Sequence, residues 1–169
     1  CASRQLEEVT FRRTVIPVQE LLGAAGKYFK KLMKNRPERI ELEIEPIEAK
    51  VIGDVNQLRF LLENLIDEAL TVREDGVIRL QARKDNEYIR FLFTDTRREK
   101  SVEELNQLFY PNLARMTSGE KGELRGTEYL VCKQIIRDHD EFAGRRGCRI
   151  NAEPAEGGGF TVYFTIPRR

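Results

Sequence analysis

The order of its predicted elements places this chain among α/β sandwiches, with one mostly antiparallel sheet covered by helices on one face. Three observations predict this class. Strands with alternating apolar residues recur along the chain, helical runs are interspersed among them, and two strands are close enough in sequence to form a hairpin. A length of 169 residues fits one hydrophobic core, so a single domain is predicted over residues 1–169.

The first part of the chain predicts a strand, a helix and a hairpin. Residues 9–18 are rich in β-forming types, and Pro17 lies where a helix can begin, because proline is tolerated in a first turn. A helix is expected over 18–34. Strict alternation over 39–45 predicts a half-buried strand, and 48–53 is expected to complete a hairpin with it.

The middle of the chain predicts a capped helix followed by a second hairpin. Asp54 is suited to cap a helix over 55–69, whose apolar residues recur at helical spacing. The alternating runs 76–85 and 87–95 almost touch in sequence and therefore predict a hairpin. The second of these strands ends at Asp95.

The last part of the chain begins with its least regular segment. Residues 96–126 are polar and contain glycines, with one short helix expected at 102–108. A loop of this length in a compact domain is usually a lid or a binding segment. A helix over 127–141 and strands over 148–154 and 160–167 complete the predicted domain.

Charge and hydropathy disfavour two classes of partner. The chain has 29 basic and 28 acidic side chains and a formal net charge of +1, so no global field would draw it to nucleic acid or an anionic membrane. No apolar run is long enough to span a bilayer. We therefore expect no nucleic-acid partner and no direct membrane contact from this segment. Tethering to a membrane through another part of a longer protein is an open alternative.

Cysteine and histidine usage points to a reducing, cytoplasmic setting. Cys1, Cys132 and Cys148 are an odd set without C-x-x-C spacing, which disfavours a disulfide framework or a zinc site. The one histidine, His139, gives little support to hydrolase constellations. It stands near the end of a predicted helix, where histidine interacts favourably with the helix dipole.

Several stretches together resemble a known family. In order and separation they are similar to the conserved boxes of the ATP-binding catalytic domain of sensor histidine kinases, a fold shared with gyrase, Hsp90 and MutL. The resemblance covers almost the whole chain and implies a two-layer α/β sandwich of the Bergerat type, with 96–126 as a degenerate ATP lid. The stretches are 53-GDVNQLRFLLENLIDEAL-70, 91-FLFTD-95, 102-VEELNQLFYP-111, 133-KQIIRDHDE-141 and 147-GCRINAEPAEGGGFTVYFTIP-167.

The resemblance implies a nucleotide site at four positions. Asn64 keeps an asparagine of the family's first helix, and Glu68 stands where the family has the asparagine that helps hold Mg²⁺. A carboxylate is a hard oxygen donor, so Glu68 remains a candidate metal ligand. Asp95 keeps the acceptor for the adenine amino group, and Gly126 is one of the family's glycines near the phosphates. Thr71 replaces a lysine that the family often has near the phosphates.

The two glycine boxes depart furthest from the family. The first, D-x-G-x-G, reads DTRRE over 95–99, so long charged residues stand where close backbone approach needs glycine. The second, G-x-G-L-G-L, aligns with 124–129 and keeps only Gly126. Glu128 adds a negative charge to a helix start that would otherwise attract phosphate. A carboxylate roughly 4 Å from a phosphate costs about 4 kcal/mol at an effective dielectric of ~20, before screening.

These departures predict a degenerate histidine-kinase-type domain in which normal Mg-ATP binding is lost. Neither ATP nor Mg²⁺ is favoured as a cofactor, and no residue is assigned a catalytic role. We expect a regulatory or docking module of two-component signal transduction, whose partners are upstream dimerisation and phosphoacceptor helices or a response regulator. Arg97 or Arg98 is expected to pair with Glu68 or Glu128 and to fill the vacated pocket.

Other interpretations stay open. An active catalytic domain with Glu68 on the metal would bind ATP and Mg²⁺ and phosphorylate a histidine elsewhere, supported by Asn64, Asp95 and Gly126. A purely structural interaction domain is a third interpretation. For single residues, Asp95 also fits a turn cap after its strand, and 97-RREK-100 fits either a solvated surface or an anion ligand.

Overall fold

The computed structural model describes residues 10–111, 117–118 and 124–169, and this part of the chain contains four helices and nine strands. The helices are α1 (Val18–Met33), α2 (Val55–Ala69), α3 (Val102–Asn106) and α4 (Glu128–Phe142). The strands are β1 (Thr14–Pro17), β2 (Ile40–Ile44), β3 (Lys50–Gly53), β4 (Gly76–Asp85), β5 (Tyr88–Asp95), β6 (Thr117–Ser118), β7 (Leu124–Arg125), β8 (Ile150–Pro154) and β9 (Phe160–Pro167).

A five-stranded sheet forms one layer of the domain, with strand order β2-β4-β5-β9-β8. Strand β2 runs parallel to β4, and every other neighbouring pair is antiparallel. Phe91 and Phe164 lie opposite each other on β5 and β9 with ring centroids 4.8 Å apart, and neither ring is exposed by more than 1%. The helices pack on one face of this sheet, which confirms the predicted two-layer α/β architecture.

The predicted hairpin between residues 39–45 and 48–53 is wrong. Strand β2 joins the large sheet beside β4, whereas β3 pairs antiparallel with β1 in a separate two-stranded sheet. Burial explains this choice, because the β1–β3 register sets Ile16 opposite Val51 and both side chains enter the core, at 2% and 0% exposure. Alternation specifies which face of a strand is buried but not which strand lies beside it.

Several local predictions are confirmed. Pro17 is the residue before the first turn of α1, and β4 and β5 form the expected hairpin. Asp54 caps α2 and accepts hydrogen bonds from the backbone N–H groups of Asn56 at 3.0 Å and Gln57 at 3.1 Å. Helix α3 ends at Asn106, two residues short of its predicted end. Residues 1–9, 112–116 and 119–123, which include Cys1 and much of the predicted lid, lie outside the described residues.

His139 ties α4 to the beginning of α2. Its Nε2 atom accepts a hydrogen bond from the Asp54 backbone N–H at 3.1 Å, and its Nδ1 lies 2.8 Å from the carbonyl oxygen of Ile135. The Phe11 ring packs edge-on against the imidazole, with centroids 4.7 Å apart. Burial lowers the pKa of His139, so its ring is neutral at pH 7 and Nε2 is free to act as an acceptor. We call this cluster the His139 junction.

In the described part of the chain, no helix is both long and apolar enough to cross a membrane. Cys132 and Cys148 are buried free thiols. The Cys132 Sγ lies 3.6 Å from the carbonyl oxygen of Leu61, in the contact between α4 and α2.

Candidate functional site

The candidate site lies at the carboxyl end of β5, where Asp95 is the last residue of the strand. Asp95 is 1% exposed and lies between β4 and β9, opposite Ile78 on one side and Phe160 on the other. The backbone beside it leaves no room for a side chain, because a Cβ atom at Gly159 would lie 2.1 Å from the Asp95 carbonyl oxygen. The position of the Asp95 backbone is therefore fixed by the sheet and by Gly159.

Arg97 folds back onto Asp95 and holds both carboxylate oxygens. Its Nε lies 2.9 Å from Asp95 Oδ1 and its Nη2 lies 3.0 Å from Oδ2, which is the bidentate geometry of a strong guanidinium–carboxylate pair. The Arg97 backbone N–H also donates to Oδ1 at 3.0 Å. The two side chains are only 1% and 2% exposed, so this ion pair is buried.

The remaining N–H groups of Arg97 donate to backbone carbonyls at the end of α2 and just beyond it. Nη2 donates to Ala69 at 2.6 Å, and Nη1 donates to Val72 and Glu74 at 2.9 Å each. A guanidinium has five N–H donors, and all five are thereby used. The carbonyls at a helix end lack helical partners and attract a cation, so Arg97 joins the end of α2 to the end of β5. We call this cluster the Arg97 corner.

Gly76 leaves room for the Arg97 side chain. A Cβ atom at this position would lie 2.5 Å from Arg97 Cγ, and the residue has a φ of +146°, which side chains rarely allow. The aliphatic part of Arg97 thus passes over bare backbone at the start of β4. The buried guanidinium depends on a glycine that is distant in sequence.

Arg98 links the two acidic residues of the candidate site. Its Nη2 lies 3.1 Å from Glu68 Oε1, and its Nε lies 3.5 Å from Asp95 Oδ2. Its guanidinium carbon lies 5.5 Å from the ring centroid of Phe160, within cation–π range. The predicted pairing is therefore found between Arg98 and Glu68, whereas Arg97 pairs with Asp95 instead.

Glu128 forms neither of the predicted ion pairs. One of its oxygens, Oε1, is buried and has no hydrogen-bond partner within the described residues. Its negative charge contributes, after burial, to a raised pKa of Asp67 on α2. Asp67 accepts a hydrogen bond from the Tyr28 hydroxyl at 2.6 Å, which opposes that rise. This face of α2 therefore meets negative charge at the start of α4.

The other predicted positions contact their own surroundings. Asn64 is 6% exposed, and its Nδ2 donates to the carbonyl oxygen of Phe60 at 2.8 Å, one turn earlier in α2. The Thr71 hydroxyl donates to the Glu68 carbonyl at 2.6 Å. Gly126 retains a positive φ of +80° just before α4. No hydrogen bond or ion pair between described residues joins Gly126 to the Arg97 corner.

The arrangement leaves little capacity for binding a ligand at Asp95. Its oxygens accept three hydrogen bonds from Arg97 and approach Arg98, which occupies the lone-pair directions that an adenine amino group would need. Glu68 is likewise engaged by Arg98. In the described residues there is no group of three or more His, Cys, Asp or Glu side chains suited to a metal ion. With these pairings in place, the residues do not fit a magnesium nucleotide.

Sequence reasoning identified Asp95, Arg98 and Glu68 but missed the Arg97–Asp95 pair and the part played by Gly76. The sequence contained a signal for this pair. Compared with the family's first glycine box, Asp95 is kept and the glycine two residues later is replaced by Arg97. Opposite charges two residues apart after a strand can meet if the chain turns back. The need for Gly76 has no local signal, since that contact depends on the tertiary fold.

Comparison with known proteins identifies the family and the fold. Residues 53–169 match the family described as histidine kinase-, DNA gyrase B- and HSP90-like ATPases, HATPase_c. The catalytic domain of histidine kinase ThkA, in a nucleotide-free form, superposes with a TM-score of 0.70 at 21% identity over 93% of this chain and 97% of that one. No curated protein matches.

Two further solved structures share the fold. The mycobacterial sensor histidine kinase MprB has a TM-score of 0.70 at 18% identity, over 94% of this chain and 99% of that one. Histidine kinase ThkA in complex with the response regulator TrrA also has a TM-score of 0.70 at 18% identity, over 99% of this chain and 46% of that one. With most of its length matched, the chain belongs to the histidine kinase-, DNA gyrase B- and HSP90-like ATPase family.

Proposed function

We propose that this chain is a histidine-kinase-type ATPase domain whose nucleotide site is closed by its own side chains. In this proposal it acts in two-component signal transduction as a regulatory or docking module rather than as a source of phosphoryl groups. Its partners are upstream dimerisation and phosphoacceptor helices or a response regulator. The buried free thiols Cys132 and Cys148 suit a reducing, cytoplasmic setting.

The observation that carries this proposal is the Arg97 corner. In the family, by resemblance, the aspartate at Asp95 accepts from adenine and the following glycines keep the approach open. Here the Arg97 guanidinium takes both carboxylate oxygens and three backbone carbonyls. In this proposal, an internal cation occupies the position at which, by resemblance, the base of a nucleotide would bind.

The free energy of the buried Arg97–Asp95 ion pair weighs against nucleotide binding at Asp95. Removing one partner of a buried ion pair costs about 3–5 kcal/mol, because a charge is left without compensation. A ligand that bound with micromolar affinity would gain about 8 kcal/mol in all. A nucleotide that first had to displace Arg97 would therefore lose roughly two to four decades of affinity, since each decade is about 1.4 kcal/mol.

The docking role is supported by the fold and by one related complex. Histidine kinase ThkA has been solved with its response regulator TrrA, so that kinase offers a surface to such a partner. A domain of the same fold can keep a docking surface after its nucleotide site is closed, because the fold and the site depend on different residues.

A second candidate function is an active catalytic domain that binds ATP with Glu68 on the metal. Two observations favour it. Glu68 and Asp95 converge on one side chain, Arg98, so the two positions still face a common site. Gly126, the one glycine kept from the family's second glycine box, has a positive φ of +80°. For this function, Arg97 and Arg98 would have to leave both acids when ATP and Mg²⁺ bind.

Calorimetric titration with ATP and ADP, with and without Mg²⁺, separates the two functions. We expect no heat of binding with nucleotide concentrations up to the millimolar range. The Arg97→Gly/Glu99→Gly variant is titrated in the same way for comparison, because it restores the family's D-x-G-x-G pattern at Asp95. Micromolar binding by the unaltered domain would favour the active kinase, and phosphorylation of a histidine in an adjoining helix would establish it.

A further inference from the structure

A groove of about 410 Å³ lies between α4 and the beginning of β8, away from the Arg97 corner. Its floor is apolar, with Ile136 3% exposed and Cys148 8% exposed, and Ile150 lies at its edge. Burial, followed by the nearby Asp140 carboxylate, raises the pKa of Cys148 to about 12. Its thiol is therefore neutral at pH 7 and is part of the apolar floor.

The acidic side chains of the groove are already paired within the wall. Asp140 Oδ1 accepts from the backbone N–H groups of Gly147 at 2.6 Å and Cys148 at 3.0 Å, and its Oδ2 lies 3.1 Å from Arg146 Nε. Glu141 Oε2 lies 2.8 Å from Arg146 Nη1. Both carboxylates therefore hold the turn after α4 in place, and their charge is offset by Arg146 and the two N–H groups.

Apart from Arg146, the basic side chains of the groove form no ion pair with an acid of the described residues. Arg137 on α4 and Arg149 just before β8 are exposed, and no acid of the described residues lies within ion-pair distance of either. Lys133 lies above the Tyr110 ring at 4.3 Å and 3.4 Å from the carbonyl oxygen of Phe109, neither of which carries a negative charge. The groove thus presents uncompensated positive charge around an apolar floor.

Two other grooves formed by the described residues lack this combination. A cavity of about 710 Å³ between α1 and α2 is lined by Lys27, Lys31 and Arg59 but also by two acids, the exposed Glu20 and the half-buried Glu63. The cavity of about 520 Å³ between α1 and β2 has Glu41 and Glu43 beside its lysines. The acids Glu20, Glu41 and Glu63 form no ion pair among the described residues, so they would repel an acidic ligand. In the α4–β8 groove, by contrast, both acids are paired with Arg146.

We propose that the α4–β8 groove is a docking site for an acidic segment of a partner protein. Carboxylates of the segment would bind Arg137 on one wall and Arg149 on the other, in charge-assisted hydrogen bonds. An apolar side chain between these carboxylates would rest on the floor formed by Ile136 and Cys148. The preferred sequence is therefore an acid, an apolar residue and another acid in succession.

This inference deepens the docking role proposed above, because it names the chemistry of the partner and the surface that binds it. The proposed docking site and the proposed closure of the nucleotide site can be disproved independently of each other. The closed nucleotide site is tested with ATP and ADP, which do not bind this groove in the proposal. The groove is tested with a peptide, whose binding does not depend on whether Asp95 is occupied.

Fluorescence anisotropy with a labelled peptide, EDLEEIDE, tests the groove directly. The charge-reversed peptide KKLKKIKK is the comparison ligand. The groove variant is Arg137→Glu/Arg149→Glu. The matched control, Lys27→Glu/Lys31→Glu on α1, changes the net charge equally at a distant surface, and thermal melts establish that both variants are folded. We expect the acidic peptide to bind the unaltered domain and the basic peptide not to bind.

The expected effect of the groove variant is at least about a tenfold loss of affinity, against less than about twofold for the control variant. Raising the salt concentration is expected to weaken binding to the unaltered domain, because the contacts are partly exposed. The proposal is overturned if the acidic peptide does not bind. It is also overturned if both variants lose affinity equally, which would indicate attraction by net charge alone.

Discussion

The two ends of α2 are fixed by buried polar clusters of opposite character. At the beginning of the helix, the His139 junction uses a neutral imidazole that accepts from the Asp54 backbone N–H. At its end, the Arg97 corner uses a full ion pair with Asp95 and three backbone carbonyls. The first cluster contains a histidine that the sequence places near the end of a helix, and the second replaces a glycine box that the resemblance assigns to a ligand.

In the proposed function, a binding site has become part of the scaffold, because a position that a ligand would have organised is organised by a side chain of the same chain. The stability of the end of α2 then depends on one buried charge pair. The predictions below test this difference between the two ends of α2.

Removing Arg97 is expected to have the largest effect. Arg97→Ala leaves the Asp95 carboxylate buried without a partner, so the free energy of unfolding should fall by about 3–5 kcal/mol. Urea denaturation at pH 7 measures this loss. The matched control is Arg73→Ala, because Arg73 is 65% exposed and reaches Glu38 at 3.4 Å; such a pair contributes roughly 0–1 kcal/mol.

A second variant separates the charge from the packing at this corner. In Asp95→Asn/Arg97→Met both charges are removed together while most of the volume is kept, so most of the lost stability should return. If Arg97→Ala is no more destabilised than Arg73→Ala, the ion pair does not anchor the end of α2.

The tight packing at the His139 junction gives the next largest effect. A Cβ atom at Gly53 would lie 2.7 Å from His139 Nε2, so Gly53→Ala should displace the imidazole and cost about 1–3 kcal/mol. Gly23→Ala is the control, because nothing lies within 4 Å of its added Cβ and it lies within α1. That substitution should stabilise the domain by up to about 1 kcal/mol. Equal effects at the two glycines would contradict the close packing at His139.

Acidification should affect the His139 junction before the Arg97 corner. The folded pKa of His139 is lowered by burial, whereas the unfolded value is about 6.5. The unfolded chain therefore takes up a proton first, and the stability present above about pH 6.5 is lost as the pH falls toward the folded pKa. The loss approaches about 1.4 kcal/mol per pH unit within that window.

Urea denaturation between pH 7.5 and about pH 5.5, above the range in which most carboxylates titrate, measures this slope. The His139→Gln variant should be less stable at pH 7.5 and should show a flatter pH dependence. An unchanged slope in His139→Gln would assign the pH dependence to other groups.

Removing Arg98 should have the smallest effect of the series. Its side chain is 18% exposed and that of its partner Glu68 is 12% exposed, so water can partly replace the lost contact. Arg98→Ala is expected to cost roughly 1 kcal/mol. A loss as large as that of Arg97→Ala would mean that Arg98 and Glu68 form the principal anchor, which would shift the centre of the site toward α2.

Features encoded by neighbouring residues could be predicted from the sequence. The Asp54 cap depends on residues two and three positions away, and the β4–β5 hairpin depends on a short connection. The pairing of β2 with β4 was missed because strand partners are chosen by burial across the whole domain. The position of Asp95 followed from the family resemblance, since the strand pattern alone also fits a simple turn cap.

The candidate site was predicted in part. Opposite charges assigned to one pocket predicted that Arg97 or Arg98 would pair with Glu68 or Glu128, and Arg98 pairs with Glu68. The direction of the Arg97 side chain depends on the space above Gly76 and on carbonyls beyond the end of α2. Those contacts join segments that are far apart in sequence, so no local pattern encodes them.

A crystal of this domain, soaked with millimolar adenine nucleotide and Mg²⁺, tests the central claim most directly. If the nucleotide site is closed, Arg97 remains paired with Asp95, Arg98 remains paired with Glu68, and no nucleotide density appears between them. Density for an adenine ring hydrogen-bonded to Asp95, with Arg97 displaced and a cation at Glu68, would contradict it.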